Sequence, residues 1–277
     1  MTTWKSFLTR AVSALLALAI IVGLYMYLGI DGVKIMIAFA VAVGSWEFVG
    51  IAFKKESSWF LKISYMIFTW LTFGLTSVAL NIGVLTFALS VVLLCIFSLL
   101  ALHKTGELSR IADFQAKSVL GLVYVGLMPA FAFRLLDLMQ GLYWFVFLLG
   151  VVFAGDTLAY VFGVLIGKHK VMPNVSPKKT WQGSVGGIFG SLIAGLICWK
   201  FLLGDYKLSF ILGLSAVSGF VGQFGDFFES LLKRVADVKD SGKIMPGHGG
   251  VLDRIDAVLF AAPVVLFGVV IVSHLLS

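Results

Sequence analysis

From residue 11 onward this chain is a succession of apolar runs, each about 20 residues long and parted by short polar breaks. That length is what a helix needs to cross a hydrocarbon layer roughly 30 Å thick. Inside such a layer every backbone N–H and C=O must find its partner within the protein, which a helix provides. The composition agrees. Hydrophobic residues make up 60% of the 277 residues and charged residues only 13%, where soluble domains carry about 25% charged residues. The expected fold is therefore an all-α, polytopic integral membrane protein.

Reading the runs between polar breaks gives about nine transmembrane helices, near 11–29, 33–52, 60–80, 83–102, 119–136, 141–167, 184–203, 208–229 and 254–275. The third and fourth are parted only by Asn81 and Gly83. His103 to Ser118 reads as an amphipathic connector, with Leu108, Ile111, Ala112 and Phe114 at the membrane interface. Lys5 and Arg10 precede the first run, which is too long for a signal-peptide core and is read as a retained helix. With the N-terminus cytoplasmic, only Lys34, Arg134, Lys200 and Lys207 of the 21 Lys and Arg fall on the outer side. That bias follows the positive-inside rule. The net charge of +7 thus belongs to short loops, which argues against a nucleic-acid partner and for headgroup or nucleotide-phosphate contacts. Cys95 and Cys198 both lie in apolar runs, which disfavours a disulfide framework or a cysteine metal site.

Against this background the stretch Ser230 to Asp256, SLLKRVADVKDSGKIMPGHGGVLDRID, stands out. Ionisable groups beside hydrocarbon are costly and mark functional sites by default. Asp226 and Glu229 are three apart on the eighth span and Lys233 follows Glu229 by four, so all three share a helix face. A surface ion pair accounts for Glu229 and Lys233 but not for Asp226, which lies deeper among Phe224, Phe227 and Phe228. Asp253 and Asp256 form a second acidic pair at the start of the last span, with Arg254 between them. The helix dipole favours a carboxylate at Asp253 and explains Asp256 less well. Two helix ends with acidic pairs suit a hard cation with open positions, such as Mg²⁺ bound together with substrate phosphates. Asp226 and Asp253 are the expected principal ligands, with Glu229 and Asp256 as further oxygen donors.

Between the pairs, KDSGKIMPGHGG carries Lys239, Asp240, Lys243 and His248. Gly249 and Gly250 let backbone N–H groups approach an anion. A lone His248 does not make a zinc site, and a phosphate-handling loop is the better reading. Upstream, Asp156, Tyr160, Gly163 and Gly167 fall on one helical stripe. The glycines there, and Gly183, Gly187, Ser191 and Gly195 in the next span, fit close helix packing. The loop SPKKT sets Lys178, Lys179 and Thr180 beside Trp181. It is either a topology signal with an interfacial Trp anchor or a clamp on a triphosphate or lipid phosphate. Glu47, inside the second span, is either buried protonated or paired with a cation.

The pattern S-x-x-K-R-x-x-x-x-K-D-S-x-x-x-x-P-G-H-G-G-x-x-D-R-x-D over Ser230 to Asp256 resembles the motif of the phosphatidate cytidylyltransferases, also called CDP-diacylglycerol synthases. D-x-x-A-Y-x-x-G-x-x-x-G-K at 156–168 and S-P-K-K-T-W-x-G at 176–183 resemble the same family. Gln182 stands where many members carry glutamate. The resemblance implies one membrane domain over 1–277, with variable helices over 1–140 and catalytic helices and cytoplasmic loops over 141–277. It implies transfer of a cytidylyl group from CTP to phosphatidic acid in phospholipid biosynthesis, releasing pyrophosphate, at the cytoplasmic face of a bacterial inner membrane. It also implies a Mg²⁺ centre at Asp226 and Asp253, a second monovalent cation such as K⁺, and a homodimer. The catalytic set so implied is Asp226, Asp253, Asp256, Lys233, Arg234, Lys239, Asp240, His248 and Arg254. The substrate-binding set is Asp156, Ser176, Lys178, Lys179, Thr180, Gly249 and Gly250. The rival chemistries are a CTP-dependent polyprenol or phytol kinase and an ion-coupled transporter. The transporter reading is disfavoured because the polar groups gather in the C-terminal half instead of in two corresponding halves.

Overall fold

The structure is a computed structural model that describes residues 19–20, 22–54, 56, 58–103, 106, 108–242, 244 and 249–276. Among these, eight helices are long and apolar enough to cross a membrane. They are α1 (Ile30–Ala52), α2 (Trp59–Val78), α3 (Leu80–Leu102), α4 (Leu108–Leu135), α5 (Gly141–Ile166), α6 (Trp181–Phe201), α7 (Leu208–Val235) and α8 (Leu252–Leu276). The described residues contain no β-strand; an isolated antiparallel bridge pairs Lys170 with Thr180. The chain is a polytopic all-α membrane protein. The expected first span, 11–29, and its flanking Lys5 and Arg10 lie largely outside the described residues.

Two boundaries differ from the sequence reading. α2 and α3 are parted by a single extended residue, Ala79 (φ −153°, ψ 132°), and not by Asn81 and Gly83. Gly83 instead lets α3 close on α2, because a Cβ there would lie 2.6 Å from Thr76 Cα. The expected connector before the fifth span is itself helical from Leu108 onward and forms the first turns of α4, which continues through a π-helical segment, Leu122–Leu127. Ile111 and Phe114 are buried, whereas Leu108 is exposed. The 3.6-residue spacing of Ile111, Phe114 and Ser118 gives this polar stretch a face to bury.

The chain divides into two compact units. The first is built from residues 1–133 and 236–254, the second from 134–235 and 255–277. The first has an aromatic core. Phe53 meets Phe114 with ring centroids 4.8 Å apart and Tyr65 at 5.0 Å, while Phe48 stacks on Tyr65 at 5.6 Å. Arg110 forks onto Glu56 with bonds of 3.0 and 2.8 Å, tying the start of α4 to the α1–α2 turn. Ser58 caps α2, its hydroxyl accepting the Leu61 N–H.

In the second unit α5 and α6 pack through glycine, as the small-residue spacing predicts. A Cβ on Gly183 would stand 2.7 Å from the Ala159 carbonyl oxygen, and Ser191 donates across the pair to the Val151 carbonyl at 3.0 Å. Lipid tails are as apolar as the helices, so such packing rests on close contact and interhelical hydrogen bonds. α7 meets α8 at Gly225, where a Cβ would be 2.9 Å from Ala257 Cα. That contact brings the main chain of α8 against α7 beside Asp226.

Candidate active site

The ionisable groups gather in two clusters, one in each unit. In the second unit Asp226 projects from α7 and Asp256 from α8. Their side chains are within hydrogen-bonding reach of each other. Two carboxyl groups that close need a proton or a cation between them. Asp256 is buried, and its Oδ1 also accepts the Ala257 N–H at 2.8 Å. Lys179 Nζ lies 2.8 Å from Asp226 Oδ2, with both side chains 30% exposed. The contact is an ion pair without hydrogen-bond alignment. The same ammonium sits 4.5 Å from the centre of the Phe227 ring. Asp156, on α5, feels the charges of both Asp226 and Lys179.

Glu229 pairs with Lys233 one turn on, as their spacing predicts, but not as a surface pair: Glu229 is 2% exposed. A buried carboxylate beside its lysine is a costlier arrangement than an exposed one and more damaging to break.

Lys179 is delivered by the 167–180 loop. Val171 donates its N–H to the Lys179 carbonyl, and Trp181 to that of His169. Thr180, buried, caps α6 by accepting the Gly183 N–H at 3.2 Å. Gln182 ties the other end, its Oε1 accepting the Lys168 and His169 N–H groups. A glutamate could accept those same bonds but would lack the NH₂ group that Gln182 sets 3.0 Å from His169 Nδ1. Arg234 reaches back to the Val175 carbonyl at 3.4 Å. Ser176 is half-buried and Lys178 exposed.

In the first unit Asp253 Oδ2 accepts three donors, each at 2.8 Å: the Ser241 N–H, the Ser241 hydroxyl and the Gly250 N–H. Gly249 is left-handed (φ 83°), a conformation glycine adopts without strain. The residue the sequence left open is Glu47. Its Oε1 accepts the Val251 N–H at 2.9 Å, and its Oε2 accepts the Leu252 N–H at 2.9 Å and the Ser241 hydroxyl at 3.2 Å. These main-chain donors cap α8. Lys239, Asp240 and Arg254 are exposed, whereas Lys243 and His248 lie outside the described residues.

The donors present suit a hard cation. Among the described residues no group of three or more His, Cys, Asp or Glu side chains is set as a metal cage. Mg²⁺ needs no such cage, since it is held by one or two carboxylates together with waters and substrate phosphates. Asp226 with Asp256 is such a pair, all oxygen and without the thiolate or imidazole a softer metal would choose.

Residues 8–272 match the sequence model of the cytidylyltransferase family. The chain belongs to that family. It is 41% identical over 145 residues to a phosphatidate cytidylyltransferase of Staphylococcus aureus (strain COL), covering 52% of this chain and 55% of that protein. It is 42% identical over 145 residues to the enzyme of that name from Staphylococcus saprophyticus, with the same shares. For Staphylococcus epidermidis the figures are 44% over 124 residues, 45% of this chain and 48% of the relative. The chain thus spans about half the length of the curated relatives it matches.

Proposed function

We propose that this membrane protein transfers a cytidylyl group from CTP to phosphatidic acid, giving CDP-diacylglycerol and pyrophosphate. The observation that carries the reading is the carboxyl pair Asp226–Asp256 with Lys179 Nζ 2.8 Å from Asp226, in a family that handles cytidylyl groups. A phosphate oxygen of phosphatidic acid attacks the α-phosphorus of CTP, the bond to the β-phosphate oxygen breaks, and pyrophosphate leaves. The lipid phosphate is already largely ionised near neutral pH, so no strong base is required. Positioning and charge neutralisation then supply the rate.

Asp226 and Asp256 offer the oxygens for Mg²⁺ in the second unit, and Asp253 is the further ligand the family motif implies. Bound there, Mg²⁺ neutralises charge developing on the phosphates. Lys179 holds Asp226 in place and sets a cation beside it. Lys178 and Arg234 in the second unit, and Lys239 and Arg254 in the first, are the candidate phosphate contacts. A monovalent cation such as K⁺, a homodimer and an active site facing the cytoplasm of a bacterial inner membrane complete the proposal.

The test is cytidylyl transfer by purified protein given α-labelled CTP, phosphatidic acid and Mg²⁺. Label in a lipid product with equimolar pyrophosphate supports the reading. Release of CDP with phosphorylation of a polyprenol instead would establish a lipid kinase.

A further inference from the structure

We propose that Glu47 is a positioning residue for the metal-dependent step, acting through Ser241, Asp253 and the first turn of α8. This rests on the reading above, in which Asp253 serves the cation. Glu47 comes from α1, in the half of the chain that carries no family motif, yet it is only 3% exposed. A carboxylate at that depth in a membrane helix must have its charge met, and it is met by three donors from residues 241–252.

Two further observations show how specific the fit is. Gly242 and Gly250 both pack on the Glu47 carboxyl group. A Cβ on Gly242 would lie 2.8 Å from Glu47 Cδ, and one on Gly250 would lie 2.5 Å from both carboxylate oxygens. The Ser241 hydroxyl also lies within reach of two carboxylates at once, Glu47 Oε2 at 3.2 Å and Asp253 Oδ2 at 2.8 Å. A hydroxyl has one proton to give, so Glu47 and Asp253 compete for it, and Asp253 keeps the Ser241 and Gly250 N–H groups whichever carboxylate takes it. Groups that hold a ligand in place typically contribute 10–100-fold to metal affinity or activity.

The experiment compares wild type with Glu47→Gln, Glu47→Asp, Ser241→Ala and Glu56→Gln, each purified in detergent. Mg²⁺ is titrated with two readouts: the rise in unfolding temperature without substrate, and the rate of cytidylyl transfer. Glu47→Gln puts an NH₂ group where an acceptor is needed. It is expected to raise the half-saturating Mg²⁺ about 10–100-fold in both readouts. Ser241→Ala should move it in the same direction, and Glu47→Asp should recover part of the loss. Glu56→Gln loosens the Arg110 fork in the same unit; it should lower the unfolding temperature and leave the Mg²⁺ midpoint alone. If Glu47→Gln fails to fold, Ser241→Ala and Glu47→Asp carry the test. A wild-type Mg²⁺ midpoint in the Glu47 and Ser241 variants overturns the proposal. So does an equal shift in Glu56→Gln, or no Mg²⁺-dependent shift in wild type. A wild type that shows the thermal shift, with the variants displaced, but transfers no cytidylyl group overturns the proposed reaction and supports the role of Glu47.

Discussion

Lys179 and Asp226 stand 2.8 Å apart, nitrogen to oxygen, in contact without hydrogen-bond alignment. The lysine belongs to a loop stapled at both ends, and the aspartate belongs to a helix held against α8 by Gly225. The pair therefore joins the lysine-bearing 167–180 loop to the part of α7 that carries Asp226.

Asp226→Asn removes the charge and keeps the shape. Losing several kcal/mol of charge stabilisation in the transition state corresponds to a rate loss on the order of 10²–10³. Transfer assays at saturating Mg²⁺ check this, with helicity measured by circular dichroism as the control for folding. Wild-type rates in Asp226→Asn would remove the carboxyl pair from the chemistry.

Lys179→Met should lower kcat/KM for CTP by roughly 100-fold, the loss expected when one fixed charge at a reacting group is deleted. Lys179→Arg should recover only part of it, because a planar fork does not replace a compact ammonium. Steady-state kinetics on the two variants would show the ordering.

Gly225→Ala should destabilise the protein by about 1–3 kcal/mol, the usual result of forcing extra volume into a packed contact. Gly213, on the same helix, has open space around its Cβ position, so Gly213→Ala should be neutral or stabilising by up to about 1 kcal/mol. Thermal unfolding in detergent compares them, and equal losses would mean that the α7–α8 contact is not tight.

Thr180→Ala removes the α6 cap and should lower stability by about 0.5–2 kcal/mol, with Thr180→Ser close to wild type. The same measurement decides it. A larger fall in transfer rate than in stability would show that the cap also holds Lys179.

Gln182→Glu should leave transfer within about threefold of wild type, since its carboxylate oxygen can accept the same two N–H groups that Gln182 Oε1 accepts now. A much larger change in rate would assign this position a role beyond holding the loop.

Much of this was legible from residue order. Apart from the polar start of α4, each span α1 to α8 is a nearly unbroken apolar run, and Asp226 and Asp256 betray themselves as ionisable groups inside such runs. The break at Ala79 was not legible, because alanine carries no turn signal and the reversal is made by packing against Thr76. The start of α4 was hidden because Arg110, Asp113 and Lys117 look like loop residues until Ile111 and Phe114 are seen to face a core. The burial of Glu229 was missed for a similar reason, since i, i+4 spacing says nothing about depth. Glu47 was visible as an oddity, but its partners were not. Two of them are main-chain N–H groups, which every residue but proline possesses, and they lie 204 and 205 residues away.

That separation also sets an order of events during synthesis. At roughly 5–20 residues per second, about 10–40 s pass between emergence of Glu47 and emergence of the main chain that receives it. Through that interval α1 is in the bilayer with a carboxylate whose eventual donors have not been made. The first unit, begun by the earliest helices, is finished only when residues 236–254 arrive. A ribosome that stalls or a gene that ends before that point leaves Glu47 without the main-chain N–H groups of Val251 and Leu252 that receive it, a feature a quality-control protease could recognise.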